Sequence, residues 1–240
     1  MLSNPRFVPD SVLDALSEIA TQTIVDALWV SDYPQPYIHG ARPLLSGMRC
    51  TGRAVTLRFV PHRPDLAADK PKAEESAEYL AFELCGPRQV LVASSVGEWE
   101  SVGGDIKFLR LAQRNVGGLV TDGSVRDSHT LKDYGFPVFS FSTTAKQGPA
   151  VMQPWGVNEV ISCGGVLVRP GDVIVGDDDG VVVVPMSMAE AVVRVAGERE
   201  AIEQVVKKEL QRNPGSPGRY YPFNEATSKL YEQYKQRGEA

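Results

Sequence analysis

The sequence predicts a single α/β domain of 240 residues. Runs of β-branched residues alternate with stretches of helical periodicity, which is the pattern of strands that pack against helices. A late segment, 160–184, is rich in valine and holds three short β-type runs between glycine turns. The chain is long enough to bury a substantial core, and no linker in it is long enough to separate two domains. We therefore expect residues 1–240 to form one domain.

The N-terminal half is predicted to contain three helices and two strands. Pro9 and Asp10 favour a helix start, and Thr21 or Thr23 can cap the next helix. We predict helices at 10–20, 21–30 and 74–84, strands at 48–60 and 89–93, and irregular loops at 31–42 and 61–71, the second of them polar and solvated.

The C-terminal half is predicted to contain short strands, a long helix and a tail. The acidic run 177–180 is interpreted as a tight turn, because it lacks the spacing and the closing glutamate of a calcium-binding loop. Ser187 caps the long helix, which extends to about residue 210. The aromatic residues of the tail are too apolar for a loose segment and should pack on the body or on a neighbouring subunit. We predict strands at 137–142, 166–168, 173–175 and 181–184, an exposed segment at 143–155, and a packed cluster of Tyr220, Tyr221 and Phe223.

Composition argues against several classes of protein. A net charge of −5 without any local lysine or arginine cluster is unfavourable for nucleic-acid binding. The three cysteines are far apart, so neither a disulfide framework nor a zinc site is indicated, and reduced thiols fit a cytoplasmic location. No apolar run is long enough for a membrane helix, and the first residues do not resemble a signal segment.

The stretch 101–133 is the most informative part of the chain. Asp105 is followed by a spacer of twenty residues and then by Arg126 and Asp127. The spacer is typical of a helix at 105–114, a glycine stop, a short buried strand and a turn, after which a second helix begins near Arg126. In an α/β layout this returns Arg126 and Asp127 to the sheet end where Gly104 and Asp105 lie, which is where such folds bind ligands.

These residue types are suited to an anionic ligand and a hard cation. Gly103 and Gly104 allow close approach of the backbone, and free N–H groups at the following helix start favour a carboxylate or phosphate. Arg126 matches a carboxylate or an enolate oxygen, and Asp105 and Asp127 suit Mg²⁺ that retains several waters. The alternative is structural: Asp105 is only a helix N-cap, and Arg126 and Asp127 are a surface pair that contributes less than about 1 kcal/mol. The pattern alone leaves both interpretations open.

The motifs of this stretch resemble those of one family. They are GGD, the twenty-residue spacer and RD, with VTDGSVRD inside and GFPVFS downstream. They resemble the class II 4-hydroxy-4-methyl-2-oxoglutarate aldolase family, which also contains the regulator of ribonuclease E activity A-type proteins. The resemblance covers about residues 20–205 and leaves 206–240 as a tail. Further matching motifs lie at 42–44, 52–56, 163–165, 170–172 and 176–180.

The resemblance implies a fold, an assembly and a reaction. The implied fold is a three-layer β/β/α swivelling domain, here with an extended C-terminal helix and tail. The implied assembly is a homotrimer or a dimer of trimers with sites at subunit contacts. The implied activity is that of a lyase that depends on Mg²⁺ or Mn²⁺ and acts on small 2-oxo acids. Such an enzyme cleaves 4-hydroxy-4-methyl-2-oxoglutarate, decarboxylates oxaloacetate, or does both, through a pyruvate enolate.

Roles for individual residues follow from the same resemblance. Asp127 would ligate the ion, Arg126 would hold the pyruvoyl group, and Asp105 would act as a catalytic acid–base group that reaches the ion through water. The backbone N–H groups of Ile106 and Lys107, next to Gly104, would bind the substrate carboxylate. The family also uses a glutamate from the C-terminal helix of a neighbouring subunit, for which we select Glu203 over two further candidates, Glu200 and Glu225.

Two alternatives to a metal-dependent lyase remain. A non-catalytic regulator that inhibits a ribonuclease or another partner would fit the acidic surface, but it would not need the complete acid–arginine set. A Schiff-base aldolase would use Lys107, at a position where the family usually has an apolar residue. A lysine on an amphipathic helix more commonly extends to solvent.

Overall fold

The structure is a computed structural model that describes residues 7–34 and 36–239. Its strands are β1 (Tyr37–Ile38), β2 (Arg42–Pro43), β3 (Cys50–Pro61), β4 (Gln89–Ser94), β5 (Gly118–Thr121), β6 (Ser124–Val125), β7 (Val138–Ser140), β8 (Ser142–Thr143), β9 (Met152–Val157), β10 (Ile161–Cys163), β11 (Val166–Val168), β12 (Val173–Asp177) and β13 (Gly180–Val184). Its helices are α1 (Asp10–Ser17), α2 (Thr21–Trp29), α3 (Pro64–Ala68), α4 (Ala77–Leu84), α5 (Asp105–Gln113), α6 (Ser128–Asp133), α7 (Ala189–Arg212) and α8 (Glu225–Arg237).

A mixed sheet forms the centre of the fold, with the strand order β1-β13-β12-β3-β4-β5-β7-β2. Its middle strands β3, β4, β5 and β7 are parallel, and the strands on either side pair antiparallel. The carboxyl ends of β4 and β5 therefore lie at the same edge. The segments that follow them lead into 101–105 and 124–127, so this edge positions the residues discussed below.

Helices cover one face of this sheet and a small hairpin covers the other. On the helical face, Phe82 of α4 and Phe108 and Leu111 of α5 pack with buried residues of β3 and β4. On the opposite face, the β10–β11 hairpin packs against Val90, Val92 and other buried residues of the sheet. Helices α1, α2 and the first half of α7 bury a third cluster against β12 and β13. The layers are thus hairpin, sheet and helices, in agreement with the predicted architecture.

Several local predictions are wrong. The irregular loop predicted at 31–42 contains the two-residue strand β1. The polar loop at 61–71 contains a short helix, α3, with Pro64 in its first turn. The segment 143–155, expected to be exposed, enters strand β9, where Met152 and Gln153 are buried. This happens because β3 is twelve residues long and β12 pairs only with its first part, residues 50–53. The rest of that edge, residues 57–61, pairs with β9 across a register shift.

Helix α2 begins without a threonine cap, because neither the Thr21 nor the Thr23 side chain caps it as predicted. Instead, the Asp177 carboxylate accepts hydrogen bonds from the Thr21 backbone N–H at 2.9 Å and from the Thr21 hydroxyl at 2.8 Å. In the same turn, Asp178 accepts a hydrogen bond from the Gly47 backbone N–H at 2.7 Å. The acidic run 177–180 is therefore a turn, as the sequence predicted. The structure adds that its carboxylates bind the start of α2 and the loop at Gly47.

The tail folds back onto the long helix of its own chain. Asn224 forms a capping box with Thr227 at the start of α8, which accounts for the helix beginning there. Tyr220, Leu230 and Tyr234 are buried against Val205 and Val206 of α7. The tail thus stabilises the outer half of α7. Of the predicted aromatic cluster, Tyr220 is buried as expected, whereas Tyr221 is exposed on this chain. Over the described ranges, no helix combines the length and apolarity needed to cross a membrane.

Candidate active site

Two backbone segments run side by side at the sheet edge and bring the predicted site residues together. Ser101 forms a parallel bridge with Ser124, and the Val102 backbone N–H donates to the Ser124 carbonyl at 3.0 Å. Two residues further on, the Arg126 backbone N–H donates to the Gly103 carbonyl at 2.9 Å. The expected return of the Arg–Asp pair to the Gly–Asp corner is therefore present in the structure.

Gly104 permits this close approach. A Cβ atom at Gly104 would lie 2.3 Å from a carboxylate oxygen of Asp127 and 3.0 Å from the Cβ of Arg126. No side chain fits in that space without displacing the Asp127 carboxylate. The absence of a side chain at Gly104 therefore leaves room for the Asp127 carboxylate. This role is separate from the predicted place of Gly104 beside the substrate.

Asp127 joins the two helix starts. Its φ of 55° and ψ of 38° put it in the left-handed region, and it is the residue from which α6 begins. This conformation is uncommon outside glycine, asparagine and aspartate, and an outlier of this kind often marks a functional position. Its Oδ2 accepts a hydrogen bond from the Asp105 backbone N–H at 3.1 Å. None of the residues described donates to its other oxygen.

Asp105 is not a helix N-cap, so the structural alternative for this residue is wrong. Gly104 is the capping residue and Asp105 is the first residue of α5. One oxygen of its carboxylate, Oδ1, accepts a hydrogen bond from the hydroxyl of Tyr134. The hydrogen bond to the Asp105 carboxylate, with further contributions from burial and nearby negative charge, raises the pKa of Tyr134 to about 12. Tyr134 therefore stays protonated near neutral pH and acts as a donor.

Tyr134 is not among the site residues predicted from the sequence, although a signal for it exists. Tyr134 lies seven residues after Asp127, which is about two helical turns. A short helix that begins at Asp127 therefore presents both residues on one side. Their common contact with the start of α5 depends on how α5 and α6 pack, which periodicity alone does not specify.

The first turn of α5 presents two backbone N–H groups at the site. The Asp105 N–H is bonded to Asp127, and the Phe108 N–H donates to the Gly104 carbonyl at 2.9 Å. The N–H groups of Ile106 and Lys107 remain, because the first N–H groups of a helix have no partner within it. They are the two that the sequence predicted as ligands of a carboxylate.

The side chain of Lys107 points away from this turn to an acid on the neighbouring helix. Its Nζ lies 2.7 Å and 2.8 Å from the two carboxylate oxygens of Glu78. Burial raises the pKa of Glu78, and the positive charge of Lys107 opposes that shift. The expectation that Lys107 extends to solvent is therefore wrong. Its engagement with Glu78 also argues against a Schiff base at this amine.

The site opens into a polar cleft of about 590 Å³. The guanidinium of Arg126 makes no ion pair or hydrogen bond within the part of the chain that the structure describes, so it is free to bind a ligand. The cleft also contains His129 and several hydroxyl groups that the sequence analysis did not single out. Its lining is Asp105, Arg126, Asp127, Ser128, His129, Thr130, Thr143, Thr144 and Ala145.

The acids at this cleft fit a hard cation that retains water. Asp127 and Asp105 each keep one carboxylate oxygen without a donor among residues 7–34 and 36–239. Within the same ranges, no cluster of three or more His, Cys, Asp or Glu could enclose a metal. One or two carboxylate oxygens with waters is a common way of holding Mg²⁺, whereas a zinc site needs more protein ligands.

The three candidate glutamates do not line the cleft of their own chain. Glu200 accepts a hydrogen bond from the Ala20 backbone N–H at 3.1 Å, so it has a structural partner at the entry to α2. Glu225 lies 2.6 Å from Lys229, and Glu203 lies 3.9 Å from Lys207. The long contact leaves Glu203 the less firmly paired of the two, and its role in a neighbouring subunit stays a prediction.

Taken together, the fold and the cleft define an α/β protein with a site for a small anionic ligand at the end of a parallel sheet. A family model described as RraA-like, Aldolase/RraA, matches residues 21–183. The chain belongs to this RraA-like family, which contains aldolases and RraA proteins. The matched region includes every predicted site residue except the glutamates of α7 and α8.

Individual relatives agree with this assignment. The chain is 34% identical over 137 residues to a protein of Halalkalibacterium halodurans named "Putative 4-hydroxy-4-methyl-2-oxoglutarate aldolase", a match that spans 55% of this chain and 63% of that protein. It is 28% identical over 153 residues to protein DlpA of Legionella pneumophila, across 63% of this chain and 24% of DlpA. The chain thus spans less than two thirds of the length of these curated relatives.

Solved structures confirm the predicted fold class. Streptomyces coelicolor RraAS2, described as an unusual member of the RNase ES inhibitor RraA protein family, has a TM-score of 0.77 and 29% identity. The similarity covers 84% of this chain and 98% of RraAS2. An uncharacterized protein of Pseudomonas syringae has a TM-score of 0.75 and 25% identity, across 89% of this chain and 98% of that one. The fold is the mixed α/β fold of the family, with a long C-terminal helix.

Proposed function

We propose that this protein is a divalent-metal-dependent lyase of small pyruvoyl substrates. It would cleave 2-oxo acids of the 4-hydroxy-4-methyl-2-oxoglutarate type, decarboxylate oxaloacetate, or do both. The observation that carries this proposal is the convergence of Asp105, Arg126 and Asp127 on one cleft, beside two N–H groups that have no partner among the described residues. Membership of a family that contains aldolases agrees with it.

The residues of the cleft would hold the pyruvoyl group through both its carboxylate and its 2-oxo oxygen. The backbone N–H groups of Ile106 and Lys107 would bind the substrate carboxylate, since a helix start favours an anion. The free guanidinium of Arg126 would contact the 2-oxo oxygen and stabilise negative charge as it develops there. Asp127, and Asp105 through water, would hold Mg²⁺ or Mn²⁺, which when bound supplies further positive charge beside the forming enolate.

Both proposed reactions break a carbon–carbon bond and leave the same pyruvate enolate. In aldol cleavage, the 4-hydroxyl proton passes through a water molecule to Asp105, and the C3–C4 bond breaks. C4 then becomes a carbonyl, and the bonding electrons move into the enolate. In oxaloacetate decarboxylation, the bond to the departing CO₂ breaks instead and no hydroxyl proton has to be removed. Protonation of the enolate at C3 gives pyruvate in both cases.

We further propose that the functional form is a homotrimer or a dimer of trimers in the cytoplasm, in which Glu203 of a neighbouring subunit completes the site. Exposed apolar side chains next to the cleft support such a contact. Ile106 is 85% exposed, and Leu109 of α5 and Leu80 and Leu84 of α4 are also exposed. Apolar residues grouped on adjacent helices commonly mark a protein–protein contact.

A second candidate function is that of a non-catalytic regulator. The similarity to RraAS2, whose family is described as RNase ES inhibitors, and the net charge of −5 favour it. Such a protein would dock on a basic partner through its acidic surface. It would have no need of a free arginine, two partly unpaired carboxylates and free N–H groups at one cleft.

The decisive experiment measures pyruvate release from 4-hydroxy-4-methyl-2-oxoglutarate and from oxaloacetate, before and after exhaustive chelation. We expect chelation to abolish enzyme-dependent release and Mg²⁺ or Mn²⁺ to restore it. Release that survives chelation, or a product that borohydride traps on Lys107, would contradict the metal-dependent mechanism. A wild-type protein that acts on neither substrate would favour the regulator.

A further inference from the structure

Tyr134 stands at the opposite end of α6 from Asp127, and both residues contact the first residue of α5. Asp127 accepts the Asp105 backbone N–H, and the Tyr134 hydroxyl donates to the Asp105 side chain. Helix α6 is fixed between these contacts because Leu131 is fully buried in the main core. The Leu131 N–H also donates to the Asp127 carbonyl at 3.1 Å. One short, anchored helix therefore fixes both the backbone and the carboxylate of Asp105.

The hydrogen bond from Tyr134 makes the two oxygens of Asp105 unequal. Oδ1 accepts the hydroxyl, whereas Oδ2 has no donor among the described residues, and Asp105 lines the cleft. A carboxylate at an exposed helix start would otherwise rotate freely about its terminal torsion, which is broad. Restricting that rotation keeps one basic oxygen in a constant position, which general base catalysis requires.

We propose that Tyr134 is a positioning residue for aldol cleavage, which holds Asp105 so that Oδ2 receives the proton of the substrate 4-hydroxyl through water. The inference rests on the proposed function. It assigns no bond-breaking step to Tyr134 itself: its own proton stays on the hydroxyl throughout. Its effect should therefore depend on whether the reaction needs Asp105 as a base.

The alternative is that Tyr134 only joins α5 to α6. Removal of the hydroxyl would then destabilise the site as a whole and impair both reactions equally. The proposal instead predicts an unequal effect, because oxaloacetate decarboxylation has no hydroxyl proton to remove. The two interpretations are therefore separated by the ratio of the two activities.

The test compares Tyr134→Phe with wild type and with Tyr79→Phe. Tyr79 is a matched control, because its hydroxyl makes no hydrogen bond to any described residue and because Tyr79 lies outside the cleft. For Tyr134→Phe we expect kcat for aldol cleavage to fall at least about tenfold, while KM stays within about twofold. Oxaloacetate decarboxylation should fall less than about threefold. The affinity for Mn²⁺, measured by electron paramagnetic resonance without substrate, should also change less than about threefold, because Tyr134 contacts no proposed direct ligand through its hydroxyl.

A double variant provides a second check. Once Asp105 is replaced by asparagine, the hydroxyl of Tyr134 no longer positions a base. Tyr134→Phe should then add little to the loss of aldol cleavage caused by Asp105→Asn alone. Equal loss of both reactions, loss of neither, or additive losses in the double variant would each overturn the role of Tyr134 while leaving the proposed function intact. A wild-type protein inactive on both substrates would overturn the proposed function and this role together.

Discussion

The ion pair between Glu78 and Lys107 gives a stability prediction that can be worked out from the structure. The Glu78 side chain is 6% exposed and the Lys107 side chain 30% exposed, so the acid is buried and the lysine partly so. Removal of one partner from a buried pair leaves an uncompensated charge and costs about 3–5 kcal/mol. Because Lys107 is partly solvated, we expect Lys107→Met to lower the free energy of unfolding by about 3 kcal/mol, at the lower end of that range.

Two further variants separate charge burial from simple loss of packing. Glu78→Leu combined with Lys107→Met replaces both charges with apolar side chains and should return to within about 1 kcal/mol of wild type. Arg110→Met breaks the neighbouring ion pair between Arg110 and Glu83, in which the two side chains are 45% and 50% exposed. This variant should lower the free energy of unfolding by less than about 1 kcal/mol. Urea denaturation at fixed protein concentration, followed by circular dichroism, measures the free energy of unfolding of wild type and of each variant.

The pH dependence of Lys107→Met has a defined sign. Burial raises the pKa of Glu78 above its unfolded value, and loss of Lys107 removes the charge that opposes this shift. Between the pKa of Glu78 in the unfolded chain, about 4.3, and its raised pKa in the folded protein, the folded state binds more protons than the unfolded state. The free energy of unfolding therefore falls as pH rises between these two pKa values. The loss caused by Lys107→Met should be smaller at about pH 5.5 than at about pH 8. A loss that is independent of pH, or a double variant as unstable as Lys107→Met, would refute this reasoning.

Three further predictions concern the cleft. Arg126→Ala should lower kcat/KM for pyruvate formation at least about a hundredfold in a folded protein, and wild-type activity would exclude its role. Asp105→Asn should lower aldol cleavage relative to oxaloacetate decarboxylation about tenfold, or roughly 1.4 kcal/mol of barrier, as the ratio of the two rates will report. Gly104→Ala should lower kcat/KM at least about tenfold by displacing the Asp127 carboxylate. The control Gly197→Ala, in an open part of α7, should instead stabilise the protein by about 0.5–1 kcal/mol in the same denaturation assay.

The part of the site that depends on the succession of helices, turns and strands along the chain could be predicted from the sequence. The helix at 105–113, the glycine stop and the returning strand are all visible as periodicity and turn residues, and they bring Asp127 back to Asp105. Side-chain contacts between different helices and strands could not be predicted from the sequence. Tyr134 and Asp105 are 29 residues apart, as are Lys107 and Glu78, and each contact depends on how two helices pack. The same applies to β9, which pairs with the part of the β3 edge that β12 does not cover.

The helix boundaries show a related limit. Thr21, Asp105 and Ser187 each have the residue type of an N-cap, but the cap positions are Ala20, Gly104 and Met188. At α2 the capping oxygen comes from Asp177, more than 150 residues away in sequence. A local rule identifies where a helix begins to within a residue or two, whereas the group that satisfies its N–H donors is set by tertiary structure.

The most direct test of the proposed site is the effect of Asp127→Ala on kcat/KM for pyruvate formation from oxaloacetate at saturating Mg²⁺. Asp133→Ala is the matched control, because it removes an exposed acid from the same helix outside the cleft. We predict a loss of at least about a hundredfold for Asp127→Ala and a change of less than about twofold for Asp133→Ala. An Asp127→Ala protein that forms pyruvate as fast as wild type would contradict the assignment of this cleft as a metal-dependent lyase site.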